Sequence, residues 1–127
     1  MHKLTEAEWT VLEALWNSEN PAGNAGSGLG DLVAALHPSK KWSRNTVHTY
    51  LTRMEGKGLV HIDRSSEPHI YSALVTKEDC ARQERNTLLN RVYGGAAGDL
   101  VAAFLKESHI TSEERDALKK LLDEMEV

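Results

Sequence analysis

Trp42-Ser43-Arg44-Asn45-Thr46-Val47-His48-Thr49-Tyr50-Leu51-Thr52-Arg53-Met54-Glu55-Gly56-Lys57-Gly58 is the stretch on which the fold turns. Ser43 is a preferred helix N-cap, because its hydroxyl can take one of the amide protons that a first turn leaves unpaired. Val47, Leu51 and Met54 then recur at i, i+4 and i+7, which is one buried row of a helix. Gly56 and Gly58 mark its end. Once that row is removed, the helix presents Arg44, Asn45, Thr46, His48, Thr49, Thr52 and Arg53, a short polar face without bulky apolar residues.

Working outward, Thr5-Glu6-Ala7-Glu8 forms a capping box with Leu4 and Trp9 as its hydrophobic staple. It predicts a helix to about Asn17 that buries Val11, Leu12, Leu15 and Trp16. Asn20 to Gly30 holds four glycines and a proline and reads as a loop. Leu29, Leu32, Val33 and Leu36 predict a short second helix stopping at His37-Pro38, since a residue before proline resists the α conformation. After the basic helix, Val60 to Arg64 and His69 to Val75 are extended runs joined by the polar tip Ser65-Ser66-Glu67-Pro68, a β-hairpin. Helix, helix, basic helix and hairpin within about 75 residues make a winged helix-turn-helix. Beyond it, Thr76 opens a long helix that ends before Gly94-Gly95. A helix is predicted over about Asp99 to Ser108, and Thr111-Ser112-Glu113-Glu114 caps a last one. The expected fold is therefore mainly α, with a winged-helix DNA-binding domain over 1–75 and a helical dimerisation region over 76–127.

The whole chain argues less directly. It has 127 residues, 40% apolar and 27% charged, with a net charge of −4, which suits one compact domain or two small interdependent ones. That net value alone counts against nucleic acid. Resolved along the chain, however, Lys40 to Lys57 carries five basic residues against one acid, whereas Asp99 to Val127 carries four against eight. A polyanion feels the local field and not the total. No apolar run approaches a membrane span, so no membrane insertion is expected. Met1-His2-Lys3-Leu4-Thr5 lacks the apolar core of a signal peptide. A lone cysteine, Cys80, cannot form an intrachain disulfide, which fits a reducing cytoplasm.

The polar face suits a DNA groove. Arg44 or Arg53 can bridge guanine O6 and N7, and Asn45 can bridge adenine N6 and N7. The methyls of Thr46, Thr49 and Thr52 can pack on thymine, with their hydroxyls reaching base edges or phosphate. Lys40, Lys41, Lys57 and Arg64 stand at the flanks, where phosphates would be. The alternative at this point is a winged-helix adaptor that binds protein and not DNA; such an adaptor would favour apolar residues on that face. An enzyme is not indicated. There is no Gly-rich phosphate loop, no His-Glu-x-x-His pattern and no nucleophile elbow.

Leu4-Thr5-Glu6-Ala7-Glu8-Trp9 with Leu15-Trp16, then Trp42-Ser43, Thr46-Val47, Thr49, Leu51, Arg53-Met54, Lys57-Gly58-Leu59 and Tyr71, resemble the penicillinase-repressor family of BlaI/MecI/CopY-type regulators. Val92-Tyr93-Gly94-Gly95 with Leu100-Val101 and Phe104 is similar to that family's C-terminal half, so the likeness covers nearly the whole chain. It implies a homodimeric repressor on a palindromic operator with TACA/TGTA-type half-sites. One recognition helix per subunit would enter the major groove, and Lys41, Ser43 and Arg64 would join the face residues at the DNA. The dimer also follows from the residues themselves. Leu100, Val101, Phe104, Leu105, Leu118, Leu121, Leu122 and Met125 are many apolar side chains for two short helices, and a partner subunit is an economical cover.

The resemblance also frames how such a repressor is released. The copper-responsive branch carries a Cys-x-Cys-x4-Cys-type tail, and this chain ends Leu121-Leu122-Asp123-Glu124-Met125-Glu126-Val127 without it. No metal and no cofactor are expected. His61 and His69, on opposite strands of the hairpin, are the one histidine pair that could meet. In the β-lactam-responsive branch a membrane sensor's signalling leads to cleavage before a Phe, which corresponds here to the Ala103-Phe104 bond, with Ala where the best-matched members have Asn. The competing reading of Phe104 is an interface core residue. His48 stands where the family commonly has Lys or Arg. Cys80 reads as a packing cysteine or as a redox-sensing thiol.

Overall fold

A computed structural model describes residues 3–18 and 26–126. Its elements in chain order are α1 (Glu6–Ser18), β1 (Ser27–Gly28), α2 (Leu29–Lys40), α3 (Arg44–Gly56), β2 (Val60–Asp63), β3 (Ile70–Ala73), α4 (Lys77–Tyr93), α5 (Ala97–Glu107) and α6 (Ser112–Glu124). The chain divides into two compact units, Met1–Glu84 and Arg85–Val127, with the division inside α4.

The first unit is the winged helix. In α1 the capping box forms as its sequence predicts, with Glu8 N donating to Thr5 Oγ1 at 3.2 Å and Thr5 N to Glu8 Oε1 at 2.8 Å. Helices α1, α2 and α3 pack pairwise. They close over Val11, Leu12 and Leu15, Leu32 and Leu36, and Val47, Leu51 and Met54. Leu59, Val60, Ile62 and Tyr71 from the hairpin and Cys80 from α4 complete the core. Each such aliphatic side chain contributes about 1.5–3 kcal/mol on full burial, so this cluster is what holds the unit together. Trp16 lies at its edge, half-buried, and its indole N–H donates to the Val75 carbonyl at 3.0 Å, tying the end of α1 to the bend between β3 and α4.

The sheet has the order β1-β3-β2, antiparallel throughout, with Ile62 opposite Tyr71 and Ser27 opposite Tyr71 on the other side. The third strand is not signalled in the sequence. Ser27-Gly28 has neither β-branched residues nor alternation, and it is extended because β3 offers it a free edge. Residues 20–25 of the expected loop lie outside the described residues; those after them are strand β1 and the first turn of α2. At Gly26 the backbone has φ +134° and a Cβ would strike the Ile70 side chain, so glycine is required there.

A second correction concerns α2, which does not stop at His37-Pro38 but runs through Pro38 to Lys40. Pro38 lacks the N–H that would reach the Ala34 carbonyl, but Ala34 is exposed and water can take that acceptor. Lys41 then adopts a left-handed conformation, φ 54°, and its N–H closes the helix on the His37 carbonyl at 3.0 Å. The expected hairpin is present, narrowed to β2 and β3, with Asp63 accepting from Ser65 N at 3.0 Å to start the turn.

In the second unit, α5 starts two residues earlier than the sequence implies. Helix α6 opens on the full Thr111/Glu114 capping box. Leu100 and Leu118 are half-buried, whereas Val101, Phe104, Leu105, Leu121, Leu122 and Met125 are exposed, Phe104 by 55% and Leu121 by 59%.

Candidate nucleic-acid interface

Helix α3 begins as its first residues dictate. Ser43 is extended (φ −70°, ψ 163°) and its Oγ accepts from Thr46 N at 3.2 Å. The buried row fixes the helix rotation, because Val47, Leu51 and Met54 are each at most 1% exposed. Rotation of the remaining positions follows by geometry. Arg44, Asn45, His48, Thr49, Thr52 and Arg53 are exposed, and Thr46 is half-buried. Arg44, Asn45, His48 and Arg53 have no side-chain hydrogen bond or ion pair among the described residues, so their donors and charges are available to an incoming ligand.

The threonines are arranged differently from the sequence expectation. Thr49 Oγ1 donates to the Asn45 carbonyl at 2.8 Å and Thr52 Oγ1 to the His48 carbonyl at 3.0 Å. Thr46 Oγ1 lies 3.0 Å from Ser43 Oγ. Thr49 and Thr52 therefore spend their protons on the helix itself and offer outward a methyl group and oxygen lone pairs.

The flanking cations divide into two groups. Lys41 is exposed at the left-handed turn before α3. Lys40 has its ammonium 5.9 Å from the Trp42 ring centroid and 3.9 Å from Glu6. Lys57, by contrast, donates from Nζ to Glu8 Oε2 at 2.7 Å. Burial pushes the Glu8 carboxyl upward, but the hydrogen bonds from Lys57 and Thr5 outweigh it and hold the group below its ordinary value. Arg64 is gripped in a bidentate pair by Glu55, at 2.6 and 2.9 Å. The Arg64 hydrogen bond lowers Glu55, and Glu55 raises Arg64 in return. These two cations brace α3 to α1 and to the hairpin.

Two shallow recesses of about 270 Å3 each flank α3. One lies toward the hairpin, between Leu29, Arg44, His48, His69 and Tyr71. The other runs along Asn45, Thr49, Tyr50 and Arg53. Tyr50 is a residue the periodicity does not flag. It is half-buried and inclined on Trp42, with ring centroids 4.9 Å apart. No helical spacing signals it, because Trp42 lies before α3 begins.

His61 pairs in register with Ser72, so it does not face His69 across the strands. Among the described residues no three His, Cys, Asp or Glu side chains are grouped as metal ligands. Cys80 is buried, and burial, then Asp79, push its thiol up, which disfavours the reactive thiolate. Among the described residues no helix is long and apolar enough to cross a membrane. Ala103 and Phe104 lie within the helical span of α5.

Three packed helices, a capped polar third helix and a hairpin define a winged helix-turn-helix, the class of DNA-binding regulators. The penicillinase repressor family model matches residues 4–124, and the chain belongs to that family of transcriptional repressors, which are not enzymes. The Staphylococcus aureus penicillinase repressor is 25% identical over 123 residues, 97% of this chain and 93% of that protein. The methicillin resistance regulatory protein MecI of Staphylococcus aureus (strain N315) is 24% identical over 122 residues, 96% of this chain and 94% of its own length. A fainter likeness, TM-score 0.43 and 22% identity over 97% of this chain and 75% of the other, is to the solved structure of Bordetella bronchiseptica BpsR.

Proposed function

We propose that this repressor works as a cytoplasmic homodimer on a palindromic double-stranded DNA operator, with one α3 per subunit in each major groove. The observation that carries the reading is the outer face of α3, where Arg44, Asn45, His48 and Arg53 stand exposed and uncommitted and no fully exposed apolar residue lies among them. Arginine and asparagine are the side chains that read guanine and adenine bidentately. Lys41 and Ser43 reach phosphate at the start of the helix. Arg64 reaches it from the hairpin only by sharing or leaving Glu55.

The exposed apolar residues of α5 and α6 form the dimer interface in this reading. Val101, Phe104, Leu105, Leu121, Leu122 and Met125 are exposed on two neighbouring stretches of chain, with Leu100 and Leu118 half-buried beside them in sequence, and large apolar side chains left in water in such number favour a partner as cover. Release from the operator acts through that interface, since separating two linked half-sites removes their effective concentration. Cleavage of Ala103-Phe104 after signalling by a membrane sensor is one such route. The bond lies inside α5, so a protease needs that helix unwound locally, and Phe104 serves as an interface residue until then.

Selection from a random duplex pool tests this proposal. Enrichment of an inverted repeat bound by two chains supports it; enrichment of nothing, or of sites without dyad symmetry, refutes it.

A further inference from the structure

The hydroxyl protons of Thr49 and Thr52 are committed to the Asn45 and His48 carbonyls. A threonine held this way cannot donate to a phosphate or to thymine O4. What Thr49 still presents is its methyl, and beside it opens the recess of about 270 Å3 that Tyr50 and Arg53 also line. Tyr50 is not a free side chain there. Its ring leans on Trp42 at 4.9 Å and 42°, so the wall it makes is braced. Thr49 and Tyr50 line the recess together with Asn45, Thr46 and Arg53, so a methyl-bearing side chain and a ring stand among polar and cationic neighbours. Arg53 stands at its margin without an ion pair among the described residues.

We propose that this recess seats the 5-methyl group of a thymine, which makes Tyr50 a specificity-determining residue together with Thr49. The major-groove edge of thymine alone among the four bases carries a methyl group, and apolar contact is the way a protein reads it. Arg53, next to the recess, takes the neighbouring base or phosphate. The inference rests on α3 occupying the major groove.

The experiment replaces each thymine of a selected duplex, in turn, with deoxyuridine, which deletes that methyl and nothing else. Binding of the full chain is followed by fluorescence anisotropy. One thymine per half-site is expected to lose about fourfold in affinity, the equivalent of one buried CH2. Thr49→Ser keeps the hydroxyl that bonds Asn45 and removes the methyl; Tyr50→Ala removes the ring. In each, the preference for thymine over deoxyuridine at that position should fall to near unity. A preference that persists unchanged in both variants, or no thymine that matters, overturns the inference while leaving DNA binding intact. If no duplex is enriched, the DNA reading falls and this inference falls with it. Should Tyr50→Ala fail to fold by circular dichroism, Thr49→Ser decides alone.

Discussion

Two carboxylates, Glu8 and Glu55, determine which cations around α3 remain free. The charge pattern of the sequence gives the sign of the basic stretch but not its pairing, so Lys57 and Arg64 look equivalent to Arg44 and Arg53 until Glu8 and Glu55 are placed against them. Glu8 is the more consequential, being almost fully buried. Its folded value lies below the ordinary 4.5, so the stability it adds is fully present above that pH and is lost as pH falls through the folded value. Glu8→Gln is therefore expected to flatten the loss of stability below about pH 4.5, read as denaturation midpoint against pH. Lys57→Met leaves the carboxylate without its cation and should cost about 2 kcal/mol, less than the ~3–5 kcal/mol of a fully buried pair because the ammonium reaches water. If both variants titrate like the parent, the pair contributes nothing. Arg53→Ala removes a free donor from α3 and should cost about 1–3 kcal/mol of operator binding, or roughly 5- to 150-fold, whereas Lys120→Ala on α6 should cost none. Equal losses from the two would remove α3 from the interface.

The elements most legible in the sequence are those whose ends carry their own chemistry. Thr5, Ser43 and Thr111 each cap the helix that follows, as their sequence context dictates. Val47, Leu51 and Met54 are the buried row their spacing indicates. What escaped is structure imposed from outside the segment. Strand β1 exists because β3 has an open edge, and α2 continues past Pro38 because its missing hydrogen bond falls on the exposed Ala34. Tyr50 escaped for a related reason, since its partner Trp42 lies before the helix begins and no helical period includes both. The α3 cap is open to a direct check. Ser43→Ala should lower stability by about 1 kcal/mol in chemical denaturation, and an unchanged midpoint would mean the cap bond contributes nothing in solution.

For the molecule as a whole, the family fixes a transcriptional repressor, and the net charge of −4 conceals a basic stretch and an acidic C-terminal one. The basic stretch is short, so one chain can neutralise few phosphates, and a dimer that joins two such stretches on aligned half-sites should bind much more tightly than one chain alone. A single chain's sequence can mark apolar residues without a cover, but it cannot say what covers them. The exposure of Phe104 (55%), Leu121 (59%) and Met125 (56%) is what gives the expectation its physical content. Phe104→Asp is accordingly expected to yield monomers by sedimentation and to weaken operator binding about a hundredfold or more, with the melting of the winged-helix unit unchanged. A dimer that survives this substitution would put the interface elsewhere. The most direct measurement is anisotropy binding of the full chain to its selected palindrome and to one isolated half-site across a salt series. A dimer with one α3 in each half-site should give a slope of log K against log salt of about −5 or steeper on the palindrome, roughly half that on the half-site, and much weaker half-site binding. A flat salt response, or equal affinity for palindrome and half-site, would contradict it.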